Sequence, residues 1–323
     1  AYGDDFGVAL KSDGTVWTWG SNGSGRLGIG SSAPKAVLPQ RVAEYLIPTS
    51  GKTFEFDRII KIAAGPDYVL ALKEDGKVYA WGSNGYYKLG TNTLSAANRP
   101  VEIKNMQGIT AIAAGSNHAL ALGEGGKVYS WGASYSGQLG RNIQDNSSHY
   151  EPIAVFGRGG HGTLSGAIDV ATSTDSSAIL LADGSIWVFG ENDKGQLGTG
   201  SVNGYEQSII RLEGISDAVK IFGGSKNFAA IDKSGFGYIW GDDDASQIAN
   251  ISASGAAGST VGAVKKPHRI EAAPSVALAD LTDIAIGGGR GAGGKLTTHV
   301  AAVNASGDFY TWGSFANSKL GID

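Results

Sequence analysis

The residues able to do chemistry are few and scattered. Five histidines, His118, His149, His161, His268 and His299, are the side chains that ordinarily titrate near neutral pH. No two stand at the short spacing of a local metal-ligand pair. There is no cysteine, which excludes a thiol nucleophile, a cysteine zinc site and a disulfide framework. Asp242-Asp243-Asp244 places three carboxylates in a row, and hard cations take such ligands. A calcium loop, however, alternates its ligands around a sixth-position Gly, so carboxylates accepting turn backbone hydrogen bonds are the plainer explanation. The run from Gly287 to Lys295 resembles a phosphate cradle, but Lys295 is followed by Leu296 and no helical pattern follows, so it is not a P-loop. A flexible insertion is expected there. No G-x-S-x-G elbow stands between a strand and a helix. These readings lead to the expectation of no catalytic residue, no metal, no cofactor and no enzyme activity.

The seven tryptophans are a different matter, because they repeat. Trp19, Trp81, Trp131, Trp240 and Trp312, with Phe189 as a sixth, each precede a glycine and follow a β-branched or aromatic run, as in Val78-Tyr79-Ala80-Trp81-Gly82. Trp17 and Trp187 stand two places earlier in their copies. A repeated position is a structural position, so core packing is expected in place of ligand stacking. The six glycines, 20, 82, 132, 190, 241 and 313, are 50 to 72 residues apart. Constant motifs at variable spacing mean one structural unit carrying loops of different length.

Each copy has the same neighbours. An apolar strand with a small residue at its centre (Leu70-Ala71-Leu72, Leu120-Ala121-Leu122) is followed by a turn such as Asp75-Gly76, then the Trp strand, so those two strands form a hairpin. A further strand lies upstream (Ile60 to Gly65, Ile109 to Gly115). Downstream the chain turns on Leu-Gly, as in Leu27-Gly28, Leu89-Gly90 and Leu139-Gly140. A fourth strand begins near Pro39, Pro100, Pro152 or Pro267, and proline marks it as the outermost. Four short antiparallel strands, apolar on both faces, are a propeller blade sandwiched between two others.

Composition agrees. Glycine is 51 of 323 residues, roughly twice ordinary usage, and it penalises long helices. At 41% hydrophobic and 17% charged the chain is not of the disordered class. A net charge of −4 without a basic run disfavours nucleic acid as a partner. No apolar stretch reaches the ~18 residues that would insert into a membrane. The chain starts at Ala1 without an initiator Met, so residues 1–323 are read as one domain, expected to be part of a longer chain.

The stretches AAGPDYVLALKEDGKVYAWGSNGYYKLG (63–90) and AAGSNHALALGEGGKVYSWGASYSGQLG (113–140) resemble the repeats of the RCC1 (regulator of chromosome condensation) family. The resemblance covers essentially the whole chain and implies an all-β fold: an RCC1-like β-propeller with six recognisable blades of four short antiparallel strands. Family members commonly have seven blades. Copy one lacks most of its first strand and copy six its fourth, so the ring either is completed by further chain or closes without those pieces. The family includes exchange factors for a small GTPase, a bacterial β-lactamase inhibitor and many bacterial surface proteins.

Function is therefore sought in the loops, where the copies differ. First-to-second and third-to-fourth strand connections share one face of the disc; hairpins and blade-to-blade crossovers share the other. Long, unlike connections at 29 to 38, 141 to 151, 250 to 266 and 287 to 298 fall on the first face, and Asn142, Gln144, Asp145, Tyr150 and Arg290 are the expected binding residues. Crossovers at 43 to 58 and 155 to 166 expose Tyr45, Leu46, Phe54, Phe56 and Phe156 on the opposite face. The leading expectation is a non-catalytic binding or structural module, extracellular or on a bacterial or phage surface, that contacts a protein or glycan partner or neighbouring copies. The alternatives are a guanine-nucleotide exchange factor and an enzyme with its site in the central channel.

Overall fold

The computed structural model describes residues 1–47, 50–142, 147–243, 263–273, 276–290 and 296–313. It is an all-β, six-bladed propeller. Blades 2 to 5 are four-stranded antiparallel units in sequential order. Blade 3, for example, runs Ile109–Ala114, His118–Gly123, Lys127–Ala133 and Ser148–Ala154 from the axis outward. Blade 1 has three strands, Phe6–Leu10, Val16–Ser21 and Lys35–Arg41, with Tyr2 bridging to Gly7 in place of an inner strand. Blade 6 is described as Leu281–Arg290, Leu296–Asn304 and Phe309–Gly313.

The Trp-Gly repeat is explained by two contacts. Trp81, Trp131, Phe189 and Trp240 are fully buried and sit in the clusters that glue adjacent blades; Trp131, for instance, packs with Tyr68, Leu70, Leu89 and Ile103 of blade 2. The following glycine has φ near +105° in every blade, and a side chain there would collide with the backbone at the start of the second strand; at Gly132 the added carbon would lie 2.4 Å from the Asn117 carbonyl oxygen. Only glycine meets both conditions.

On the hairpin face four seams share one bond. The hairpin glycine carbonyl of one blade accepts the first amide of the next inner strand: Ile59 to Gly14 and Ile109 to Gly76 at 3.1 Å, Ala218 to Gly184 at 3.1 Å and Leu281 to Gly235 at 2.9 Å. Pro39, Pro100, Pro152 and Pro267 all lie in the outermost strands, beside irregularities in pairing, where a missing amide costs nothing.

Two expectations need correcting. The 43 to 58 crossover is no loose decoration: Glu44–Ile47 and Lys52–Glu55 form a hairpin that joins the outer strand of blade 2 through Leu46 and Val101. Phe56 is fully buried against Tyr79 and Trp81, because the crossover must cover the apolar base of the seam between blades 1 and 2; Phe54 does remain exposed, stacked on Tyr45. The glycine-rich stretch of blade 6 is likewise paired: its two strands keep register from Asp283↔Val303 out to Arg290↔Leu296, so the insertion lengthens a hairpin. Residues 291–295 lie outside the described ones.

Candidate functional site

The opposite face carries the third-to-fourth turns, and in blades 1, 2 and 4 the turn is built by the same rule. An asparagine side chain closes it, accepting from the Leu amide: Asn22 from Leu27 at 3.1 Å, Asn84 from Leu89 at 2.8 Å, Asn192 from Leu197 at 3.0 Å. The carbonyl just before that Leu then takes the indole N–H of the next blade: Trp81 donates to Arg26, Trp131 to Lys88 and Trp240 to Gln196, each at 3.0 Å. Blade 4 has Phe189, which has no N–H to give. There the Ser177 hydroxyl donates to the Gln138 carbonyl at 2.9 Å and lies 3.0 Å from His118 Nε2. His118 is thus a structural partner. Complete burial holds its imidazole far below the ordinary range, at about 3, so it is neutral.

Closer to the axis, polar side chains link blade to blade. Lys88, itself buried, donates to Asp67 at 2.7 Å and to Asn117 Oδ1 at 3.4 Å. Asn117 donates to the Tyr135 hydroxyl, which donates to Asp175 at 3.0 Å, and Gln138 donates to the same carboxylate oxygen at 3.1 Å. Burial pushes the Asp175 carboxyl above the usual carboxylate range, against the pull of those two donors. In the next seam Lys226 reaches Asp193 at 2.8 Å and Glu191 at 3.2 Å. On the axis itself, burial raises Asp169 while the charges of Lys61 and Lys220 oppose that shift, and its carboxylate accepts the Val170 amide at 2.9 Å. These groups carry structural pairings, and no nucleophile with an adjacent base is found among them.

One seam breaks the rule. In blades 1, 3 and 4 a left-handed glycine stands just before the long polar side chain of the turn: Gly25, Gly137 and Gly195, with φ +71° to +74°. A side chain there would strike the next blade's outer strand, at Asn98 Cα (2.6 Å), Gln207 Cα (2.7 Å) and Lys265 Cα (3.1 Å). The turn therefore lies flush on that strand and is latched to it by a backbone bond: Gly30 to Asn98 at 2.8 Å, Asn142 to Gln207 at 3.2 Å, Gly200 to Lys265 at 2.7 Å. In blade 2 the same place is Tyr87, with Tyr86 before it, and both are left-handed at φ +58° and +61°. The outer-strand residue matching Asn98, Gln207 and Lys265 is Tyr150. The equivalent latch, Asn92 amide to Tyr150 carbonyl, is absent from the backbone bonds of the described residues. In its stead Tyr87 meets Tyr150 (ring centroids 6.0 Å) and Tyr86 meets Tyr135 edge-on (5.7 Å). Tyr86 is 47% exposed and Tyr150 39%. Non-glycine residues in this conformation cost roughly 1–2 kcal/mol each, and such costs gather at functional sites.

The expected binding residues are dispersed by the fold. Tyr150 belongs to this seam. Asn142 stands at the next one, left-handed at φ +51° and accepting from the Ser208 hydroxyl at 3.2 Å. Arg290 ends the long hairpin strand of blade 6, across the ring. Gln144 and Asp145 lie outside the described residues, as does most of 250 to 266. Of the aspartate run, Asp242 and Asp243 are buried, with Lys194 at 3.7 Å from Asp242; Asp244 lies outside. Among the described residues no group of His, Asp or Glu could hold a metal ion. Tyr86, Tyr87 and Tyr135 are missed by the sequence reading although a signal exists: aligned on Leu-Gly, the turns read Ser24-Gly25, Tyr86-Tyr87, Ser136-Gly137 and Lys194-Gly195.

Known proteins share this architecture. The chain is 29% identical over 319 residues to the mouse E3 ubiquitin-protein ligase HERC2, covering 97% of this chain and 6% of that protein. It is 28% identical over 204 residues to human HERC6, a probable E3 ubiquitin-protein ligase, covering 61% of this chain and 18% of that one. The chain thus spans a small part of the relatives it matches. Among solved structures, Prp20p of Saccharomyces cerevisiae superposes with a TM-score of 0.77 at 23% identity, over 100% of this chain and 73% of that one. Human WBSCR16 does so at 0.76 and 22%, over 99% and 77%. The model of the RCC1-like domain matches residues 1–323, and the chain belongs to that family.

Proposed function

We propose that this propeller is a non-catalytic protein-docking module whose partner sits on the loop face, over the seam between blades 2 and 3. The observation that carries this is the tyrosine pair at 86 and 87. The fold asks for glycine at the second position and has it in three other blades; two tyrosines in left-handed backbone open the seam and display aromatic rings to solvent. Tyrosine is a favoured anchor residue of protein interfaces, since it offers a large rigid surface with a polar tip. Protein binding is also described for one structural neighbour, Prp20p, whose binding to Gsp1p and histones accompanies its structure. The exchange-factor reading rests on that likeness of fold alone. An extracellular or cell-surface setting rests on the cysteine-free, lightly charged composition; resistance of the chain to protease added to intact source cells would overturn it.

The test is site-specific photocrosslinking in extract of the source organism. A benzophenone side chain at position 86 should capture a protein in a discrete adduct, and one at Phe309, 70% exposed on the other face, should not. Equal labelling from both positions, capture of glycan or of a second copy only, or stimulated nucleotide release from a GTPase with no adduct at 86 would each defeat the reading.

A further inference from the structure

Docking over the seam between blades 2 and 3 leaves the partner's chemistry open, and the groups around that seam narrow it. Resting on that docking site, we infer that the seam receives an arginine side chain of the partner protein.

The cations near this seam are already engaged: Lys88 is buried against Asp67 at 2.7 Å, and Arg141, buried in blade 3, donates to backbone carbonyls of its own sheet. The exposed groups at the seam include an acid and an unlatched acceptor. Glu151 is exposed beside Tyr150; the Tyr150 carbonyl lacks the latch that occupies its counterparts Asn98, Gln207 and Lys265. Tyr135 gives its hydroxyl proton to Asp175, which holds its ring steady beneath Tyr86. A guanidinium suits such a place better than any other side chain. It is planar and stacks on aromatic faces. It carries five N–H donors and no acceptor, so one group can stack on a ring and still donate to the Tyr150 carbonyl and the Glu151 carboxylate. A lysine ammonium would meet the charge but neither the plane nor the number of acceptors.

The probe is a nine-residue Gly/Ser peptide with one central arginine, titrated against protein carrying ¹³C-labelled tyrosine rings. Two companion peptides replace the arginine by citrulline, which keeps the plane and loses the charge, or by lysine. The arginine peptide should shift Tyr86, Tyr87 and Tyr150 resonances, bind at least 5-fold more tightly than the citrulline peptide and more tightly than the lysine one, and weaken as salt is raised. Glu151→Gln should weaken the arginine and lysine peptides and leave the citrulline peptide unchanged. Tyr86→Ser with Tyr87→Gly, the residues blade 1 carries, should abolish the shifts with the thermal midpoint unchanged. Indistinguishable affinities for the arginine and citrulline peptides, or shifts elsewhere on the disc, would overturn the inference. The two readings fail separately: an adduct at position 86 that the arginine peptide cannot compete away sinks the arginine and keeps the docking site, and absence of any adduct sinks both.

Discussion

The turns of blades 1 and 2 are the same structure made from different residues. Ser24-Gly25 and Tyr86-Tyr87 both run through left-handed backbone, both end in a Leu whose amide an asparagine captures, and both offer a carbonyl to the next blade's indole. They differ at the rim. Gly25 lies against Asn98 and Gly30 latches to it; Tyr87 stands off the neighbouring strand on a ring contact with Tyr150. The buried half of the turn obeys packing, and the outer half is free to depart from it. The left-handed tyrosines carry a backbone cost that their exposed ring contacts roughly offset, and the rim is therefore the place to test for a task beyond packing.

The largest expected effect tests the buried half. Trp131→Ala should destabilise by about 3–5 kcal/mol, since it removes a fully buried ring from the cluster joining blades 2 and 3 and strands the Lys88 carbonyl. Tyr150→Ala, at the rim of the same seam, should cost under ~1 kcal/mol. Urea midpoints for the two variants check this; equal losses would mean that the rim rings are core and that the division is wrong.

The seam between blades 3 and 4 sharpens the contrast through pH. Folded His118 titrates at about 3 because burial disfavours its cation, whereas the unfolded chain's histidine takes its proton near 6.5. Below 6.5 the unfolded state therefore binds more protons, and this site's contribution to stability falls by up to about 1.4 kcal/mol per pH unit until about pH 3. His118→Gln should remove that slope while the rest of the acid profile stays. The difference between wild-type and variant unfolding free energies at pH 7, 5.5 and 4 measures it; a flat difference would show that His118 takes its proton as readily in the folded chain as in the unfolded one.

A smaller effect is expected from giving blade 3 a side chain where blade 2 has one. Gly137→Ala would put a carbon 2.4 Å from the Glu206 carbonyl oxygen and 2.7 Å from Gln207 Cα, and leave an L-residue at φ near +72°. Strain and overpacking together suggest roughly 2–3 kcal/mol. A midpoint unchanged by this substitution would mean that the turns are loose on their neighbours, and the missing latch at Tyr150 would then mark nothing.

Much of the fold can be read from the chain because packing repeats. Trp81 and Trp131 recur where blades meet, glycine recurs where φ must be positive, and repetition exposes both without a structure. The burial of Phe56 is hidden because it lies in a crossover, where no second copy shows that the position is covered. The binding face is legible as a face, from strand alternation alone. Its residues are not, because loop length is a poor sign of function here. The tyrosine turn is as short as its siblings; its mark is a departure in residue type at one aligned position, visible only when the turns are set on their Leu-Gly ends. Asn142 and Arg290 share a face, and the ring sets them on different blades.

The smallest effect on folding belongs to the change expected to matter most for binding. Tyr86→Ser with Tyr87→Gly rewrites the blade 2 turn as blade 1 has it. Glycine at 87 relieves a left-handed side chain, worth roughly 1 kcal/mol, and lets Asn92 reach the Tyr150 carbonyl as Gly30 reaches Asn98. Against this stand the two ring contacts, at about 0.5–1.5 kcal/mol each where well formed, and the entropy of one more glycine, about 0.5–1 kcal/mol. Both rings are partly exposed, which places their contacts at the low end. The terms nearly cancel, so the double variant should unfold within about 1 kcal/mol of wild type by urea denaturation while losing the adduct formed from the loop face, read with the photocrosslinker moved to Tyr150. If the variant unfolds several kcal/mol more easily, the tyrosines are a local substitute for the latch and their exposure is incidental. If it is equally stable and still captures the partner, docking lies on another seam, and the next place to look is the one where Asn142 meets Ser208.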